Sequence, residues 1–186
     1  MARWQPDAQG RLAQAALELF AEHGYEQTTV AEIAERAGLT KRTFFRYYAD
    51  KREVLFGAGT EFQDLVVRGA AAAPPDATPI AVVGAGLEAA GAMLEERRPF
   101  ARQRQAVIAA NPELQERELM KLDAVTQALA ATLRERGVSE LEAGLAAGAG
   151  VAAFHVAFGR WVRGDDERDL PAVVRTALGT LRAVAV

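Results

Sequence analysis

The 186-residue sequence predicts an all-α fold of about nine helices, and three observations carry that prediction. Apolar residues recur at i, i+3, i+4 and i+7 along most of the chain. Helix starts are marked repeatedly by Thr-x-x-Glu, Ser-x-x-Glu, Thr-Pro and Asn-Pro. No stretch alternates β-branched with polar residues in the way a strand requires, and Ala is abundant. The helices divide into an N-terminal three-helix unit in residues 1–52 and a larger helical domain in residues 53–186, with no internal repeat.

The first helix runs from Asp7 to His23. Leu12, Ala15, Ala16, Leu19, Phe20 and His23 form one stripe, Gly24 stops the helix, and His23 reads as a capping or packing residue. Thr29 and Glu32 form a capping box opening a second helix on which Val30, Ile33, Ala34 and Ala37 share a face. Gly38 supplies the left-handed turn that ends it. Leu39 turns back to the core, and Thr40 caps a third helix whose inner face is Phe44, Phe45 and Tyr48. Helix, glycine turn and helix with a basic outer face is the pattern of a helix-turn-helix.

Asp50 and Glu53 repeat the capping logic and open a fourth helix reaching about Ala71, with Val54, Leu55, Phe62, Leu65 and Val66 as its apolar side. At about 1.5 Å per residue it spans roughly 30 Å, long enough to act as a lever between the two domains. The run from Ala70 to Pro79 is a linker. Thr78-Pro79 starts a fifth helix to about Glu96, Pro99 a sixth through Ala109, and Asn111-Pro112 a seventh to about Arg136, closed by Gly137. Ser139 and Glu142 open the eighth, which Gly164 ends, and Leu170 to Val184 make the last.

The formal net charge of -3 disfavours a nucleic-acid partner, but the distribution reverses this. Arg36, Lys41, Arg42, Arg46, Lys51 and Arg52 face only Asp50 in their stretch, a basic patch on an acidic body. Lys41, Arg42, Thr43 and Arg46 lie on the outer part of the third helix, where base edges are read. Arg forks onto guanine, and Thr exchanges hydrogen bonds or touches a thymine methyl. Thr28, Thr29, Thr40, Tyr47 and Lys51 sit at helix ends, where hydroxyls, ammonium and free N–H groups hold phosphates.

AEIAERAGLTKRTFFRYYADKREVLF, Ala31 to Phe56, resembles the signature of tetracycline-repressor-type (TetR-family) transcriptional regulators. The likeness extends upstream through ALELFAEHGYEQTT, Ala16 to Thr29, and so covers about the first third of the chain. Two positions depart from the usual pattern: Arg42 replaces a small residue and Tyr47 a His. The resemblance implies the same base-reading and phosphate-holding roles. It also implies a variable helical ligand domain, and a homodimer formed by pairing the last two helices into a four-helix bundle.

On that reading the dimer interface draws on Leu141, Leu145, Gly148, Val151, Val162, Val174, Leu178 and Leu181, with Gly144, Gly148 and Gly150 allowing close helix approach. A small, largely apolar effector is expected among Met93, Phe100, Val107, Met120, Phe154, Phe158 and Trp161, oriented by Arg104 and His155, with Glu88 and Gln105 as further polar candidates. Ligand then moves the fourth helix and swings two recognition helices out of register with a palindromic operator of double-stranded DNA.

Other classes fit less well. There is no Cys, no phosphate-binding glycine loop and no HExxH, so neither an enzyme, a metal site nor a bound cofactor is expected. Glu95-Glu96 and Asp165-Asp166 sit near helix ends, where caps and solvated faces explain them. The N-terminus lacks the apolar core of a signal peptide, and the apolar run from Ala143 to Phe154 is too short to cross a bilayer, so a cytoplasmic protein without membrane partners is expected. The alternative function is a ligand-binding or interaction module whose DNA reader is vestigial.

Overall fold

The computed structural model describes residues 7–57 and 59–184, and these contain ten α-helices. They group into two compact units. The first holds the described residues up to 57 together with Arg102–Glu118, and the second holds Gly59–Ala101 and the residues from Leu119 onward. The N-terminal residues 1–6, where a leader was sought, lie outside the described chain.

In the first unit, α1 (Ala8–His23) is capped by Asp7, whose carboxylate accepts from the Gly10 N–H at 2.8 Å. Gly24, at φ 83°, ends it with its N–H on the Phe20 carbonyl. α2 (Val30–Arg36) carries the full Thr29/Glu32 capping box, and α3 (Lys41–Tyr47) starts at Thr40, whose hydroxyl accepts from the Thr43 N–H at 3.1 Å. Between them Gly38 adopts φ 66°, and the Leu39 N–H closes on the Ala34 carbonyl at 2.8 Å. Leu12, Ala16, Phe20, Ile33, Ala34 and Phe44 form the shared core.

The expected single fourth helix is described as two, α4 (Glu53–Phe56) and α5 (Gly59–Ala71), with residue 58 outside the described chain. The expected continuity of one helix through to Ala71 falls on residue 58 and so lies outside the described residues. The first unit recruits α7 (Arg98–Ala109) from Arg102 onward and α8 (Pro112–Glu135) as far as Glu118. Ile108 and Leu114 from this segment are fully buried, and Arg117 and Arg104 reach α4 through polar contacts.

The second unit is built on α5, α6 (Pro79–Glu95), the Leu119 end of α8, α9 (Glu140–Arg163) and α10 (Leu170–Val184). Glycine lets α5 and α6 meet backbone to backbone: a Cβ at Gly69 would stand 2.9 Å from the Ala85 carbonyl oxygen, and one at Gly86 would collide with that of Val66. Gly150 admits Val83 of α6 against α9 in the same way. Gly137, at φ 85°, closes α8, and Arg136 ties that end to the carbonyls of Ala71, Ala73 and Pro74. α9 is 24 residues long and its most apolar 18-residue stretch has a mean hydropathy of 1.5, so by length and composition alone it is long and apolar enough to cross a membrane. Its buried side is taken up by α6 and α10. What distinguishes it is the other side, described below.

Candidate nucleic-acid interface and ligand-domain faces

Local sequence fixes the reader. The Thr29/Glu32 box holds the start of α2, and the Thr29 hydroxyl, then its N–H, keep the Glu32 carboxyl below its ordinary range. Arg36 bridges back to α1 through Glu22 at 2.8 Å. Asp50 accepts from the Arg52 and Glu53 N–H groups, and the Arg52 guanidinium beside it holds its carboxyl low. On this frame α3 exposes Lys41, Arg42 and Arg46 on one face. Arg46 donates to the Tyr47 hydroxyl at 3.0 Å. Thr43 is half-buried, with its hydroxyl 3.0 Å from that of Thr40.

Of the expected phosphate holders, Thr29, Thr40 and Tyr47 are exposed. Thr28 is not: it is 1% exposed, and its hydroxyl donates to the Gly24 and Leu19 carbonyls at 2.8 and 3.3 Å. Lys51 likewise turns inward, donating to the carbonyls of Tyr25, Glu26 and Thr28 while lying 4.3 Å from the Tyr25 ring centroid. Both residues brace the loop that enters α2. Sequence reasoning placed Phe45 on the inner face, yet it is 56% exposed, because α3 turns only Phe44 and Tyr48 into the core.

Segment 102–118 completes the unit around α4. The Arg104 guanidinium donates to both Glu118 oxygens at 3.0 and 2.6 Å and to the Leu55 carbonyl at 2.6 Å. Arg117 donates to Glu53 at 3.0 and 2.6 Å. Burial, then a hydrogen bond with Glu113, push the Tyr25 hydroxyl well above the usual phenol range. Arg104 and Val107 therefore belong to the first unit, and Arg104 has its donors engaged by protein.

The other expected pocket residues also separate. Phe154, Phe158 and Trp161 do come together: Phe62, Phe154, Phe158 and Trp161 follow one another at centroid distances of 5.6, 6.0 and 5.6 Å. They pack as core, with the Trp161 N–H on Glu95 at 2.7 Å. Met93 and Phe100 are half-buried, whereas Met120 is 57% exposed and His155 is exposed. An open groove of about 240 Å³ is lined by Ala92, Glu95, Glu96, Asp169 and Pro171, none of them in the expected set.

The interface residues divide by face. Val151, Val174 and Leu178 are buried inside the chain, whereas Val162 and Leu181 are half-buried, packed against the same core with part of each still exposed. Gly150 serves that packing too. Leu141 and Leu145 are 73% and 65% exposed, Gly144 and Gly148 face open space, and Val156 is 60% exposed. The unpartnered apolar face is thus Leu141, Leu145, Gly148, Ala152 and Val156, at i, i+4, i+7, i+11 and i+15 along α9.

Residues 12–58 match the model of bacterial regulatory proteins of the tetR family, and residues 76–185, over half the chain, match the MftR C-terminal domain. The chain belongs to the TetR family of transcriptional regulators. It is similar to the putative mycofactocin biosynthesis transcriptional regulator MftR of Mycobacterium tuberculosis, 46% identical over 46 residues, covering 25% of this chain and 23% of that one. It is also similar to the HTH-type transcriptional regulator TcmR of Streptomyces glaucescens, 54% identical over 44 residues, covering 24% and 20%. The likeness thus spans about a quarter or less of either relative. Among solved structures, the SmeT–triclosan complex shares the fold at a TM-score of 0.66, 21% identity and 95% and 90% coverage. The Bacillus subtilis regulator FadR in complex with stearoyl-CoA does so at 0.62, 21%, and 92% and 96%.

Proposed function

We propose that this chain is a cytoplasmic, ligand-responsive repressor that binds a palindromic operator as a homodimer and leaves it when a small, largely apolar effector binds. The observation that carries the reading is the outer face of α3, where Lys41, Arg42 and Arg46 project to solvent from a helix capped by Thr40. Three cations on a rigid, short helix suit phosphate attraction and guanine readout, with Thr29, Thr40 and Tyr47 on the flanking phosphates. One such helix reads too few base pairs for specificity, which favours a dimer. The exposed Leu141–Val156 face of α9 is the surface that pairing would cover. The intact basic face argues against a vestigial reader.

The SmeT structure contains triclosan and the FadR structure stearoyl-CoA, and ligands of this apolar kind support the effector class proposed here. The aromatic run Phe62–Phe154–Phe158–Trp161 would have to repack to admit one. Segment 102–118 is the proposed route to the reader, because its arginines grip α4 directly.

Selection from random duplex DNA tests the reading. The expected result is two inverted half-sites about 10–10.5 base pairs apart, centre to centre, or a multiple of that spacing. Failure to enrich any sequence over the starting pool would contradict it.

A further inference from the structure

The reading helix α3 is seven residues long, too short to hold its own direction, and its cap at Thr40 fixes only where it starts. Two contacts from the first turn of α1 bracket it. On one side the Arg11 Nη1 donates to the Ala37 carbonyl at 3.1 Å, across 26 positions of sequence. Ala37 closes α2, where the helix ladder leaves carbonyls without partners and a cation is favoured. The same Nη1 lies 3.9 Å from where a Cβ would stand on Gly38, so the guanidinium sits beside the left-handed turn itself. On the other side the Tyr48 hydroxyl, at the end of α3, donates to the Gln9 carbonyl at 3.2 Å. Both α1 groups are placed by the Asp7 cap, which holds that turn through the Gly10 N–H.

We propose that Arg11 is a positioning residue for DNA reading: together with the Tyr48–Gln9 hydrogen bond it sets the angle at which α3 enters the major groove, without itself touching DNA. The inference rests on the operator-binding reading above. A phosphate holder turns its donors to solvent. Arg11 instead is half-buried, commits Nη1 to a protein carbonyl and buries Nε with no acceptor among the described residues. A buried donor without an acceptor is unfavourable, so packing alone would be better served by an apolar side chain of similar reach. What the guanidinium adds over such a side chain is a fixed bond to the turn. Without that bond the turn still forms, because Gly38 and the Leu39 N–H on the Ala34 carbonyl are local to it. Its angle to α1 is no longer fixed, and Arg42 and Arg46, which ride on α3, lose register with the base edges.

The test compares a duplex recovered by selection with its scrambled counterpart, by fluorescence anisotropy across a salt series, on the full chain below its thermal midpoint. Arg11→Met is expected to lower the ratio of the two affinities about tenfold, the size of one lost base contact. The affinity for scrambled DNA and its salt slope stay those of wild type. A variant that was only less stable would not shift that ratio once its active fraction is titrated. Arg11→Lys, which returns one donor to the Ala37 carbonyl, recovers most of the discrimination. Tyr48→Phe removes the other bond, keeps the ring and lowers the ratio in the same way, which decides the matter should Arg11→Met fail to fold. An unchanged ratio in either variant overturns the proposal, as does an Arg11→Lys protein no better than Arg11→Met. A salt slope shallower by about one in Arg11→Met, with both affinities reduced alike, also overturns it, since Arg11 would then hold a phosphate. These results leave the regulator reading standing. Absence of selective binding by the wild type overturns that reading, and this one with it.

Discussion

Thr28 and Lys51 were read from sequence as phosphate holders because they stand at helix ends, and the structure turns both inward onto carbonyl groups. Sequence position reports which residues flank a helix; it does not report which unpaired carbonyls a loop leaves to be satisfied. Lys51→Met is accordingly expected to lower stability by about 1–3 kcal/mol, since it strips charge-assisted hydrogen bonds from three carbonyls. Thermal denaturation checks this, and the salt dependence of DNA binding should keep its slope. A variant of normal stability with a shallower slope would restore Lys51 to the phosphates. Arg104→Ala is expected to destabilise by a similar amount, about 1–3 kcal/mol, because Glu118 and the Leu55 carbonyl lose a partly buried partner. Arg104 was unreadable as a structural residue, since its carbonyl partner is 49 positions away in sequence.

At the scale of elements, helix starts were legible because caps are local, and the Thr29/Glu32 box forms as its spacing implies. The box carries a pH dependence. The Glu32 carboxyl, held below its ordinary 4.5, contributes stability that is present above that value and lost as pH falls through the lowered one. The stability difference between wild type and Glu32→Gln should therefore be constant near neutrality and shrink in acid, measured by thermal midpoints across pH. Glycine roles were only half legible, because residue type does not say what stands opposite. Gly86→Ala is expected to destabilise by about 1–3 kcal/mol through collision with the Val66 carbonyl. Gly148 faces open space, so Gly148→Leu should leave the helix content unchanged and weaken self-association, read by sedimentation. Unchanged association would remove α9 from the interface.

For the molecule as a whole, the helical class and the reader were legible because both rest on short-range spacing: the capping box, Gly38 and the aromatic positions of α3 lie within one contiguous stretch. The recruitment of residues 102–118 into the first unit was not, since burial of Ile108 and Leu114 depends on pairings far apart in the chain. The effector site was the least legible. Apolar residues at helical spacing look alike whether they line a cavity or fill a core, and Phe154, Phe158 and Trp161 fill one. Stearoyl-CoA and triclosan are the probes with which to begin, each expected to raise the thermal midpoint if bound and to lower operator affinity reciprocally.

The central claim is that α3 reads a specific duplex in a two-chain complex. Fluorescence anisotropy on DNA from immediately upstream of the gene, across a salt series with scrambled competitor, tests it most directly. The account predicts competitor-resistant binding at two chains per site, lost in Arg42→Ala/Arg46→Ala. Equal, salt-sensitive affinity for both that DNA and a selected duplex and their scrambled counterparts would contradict it, leaving only phosphate attraction.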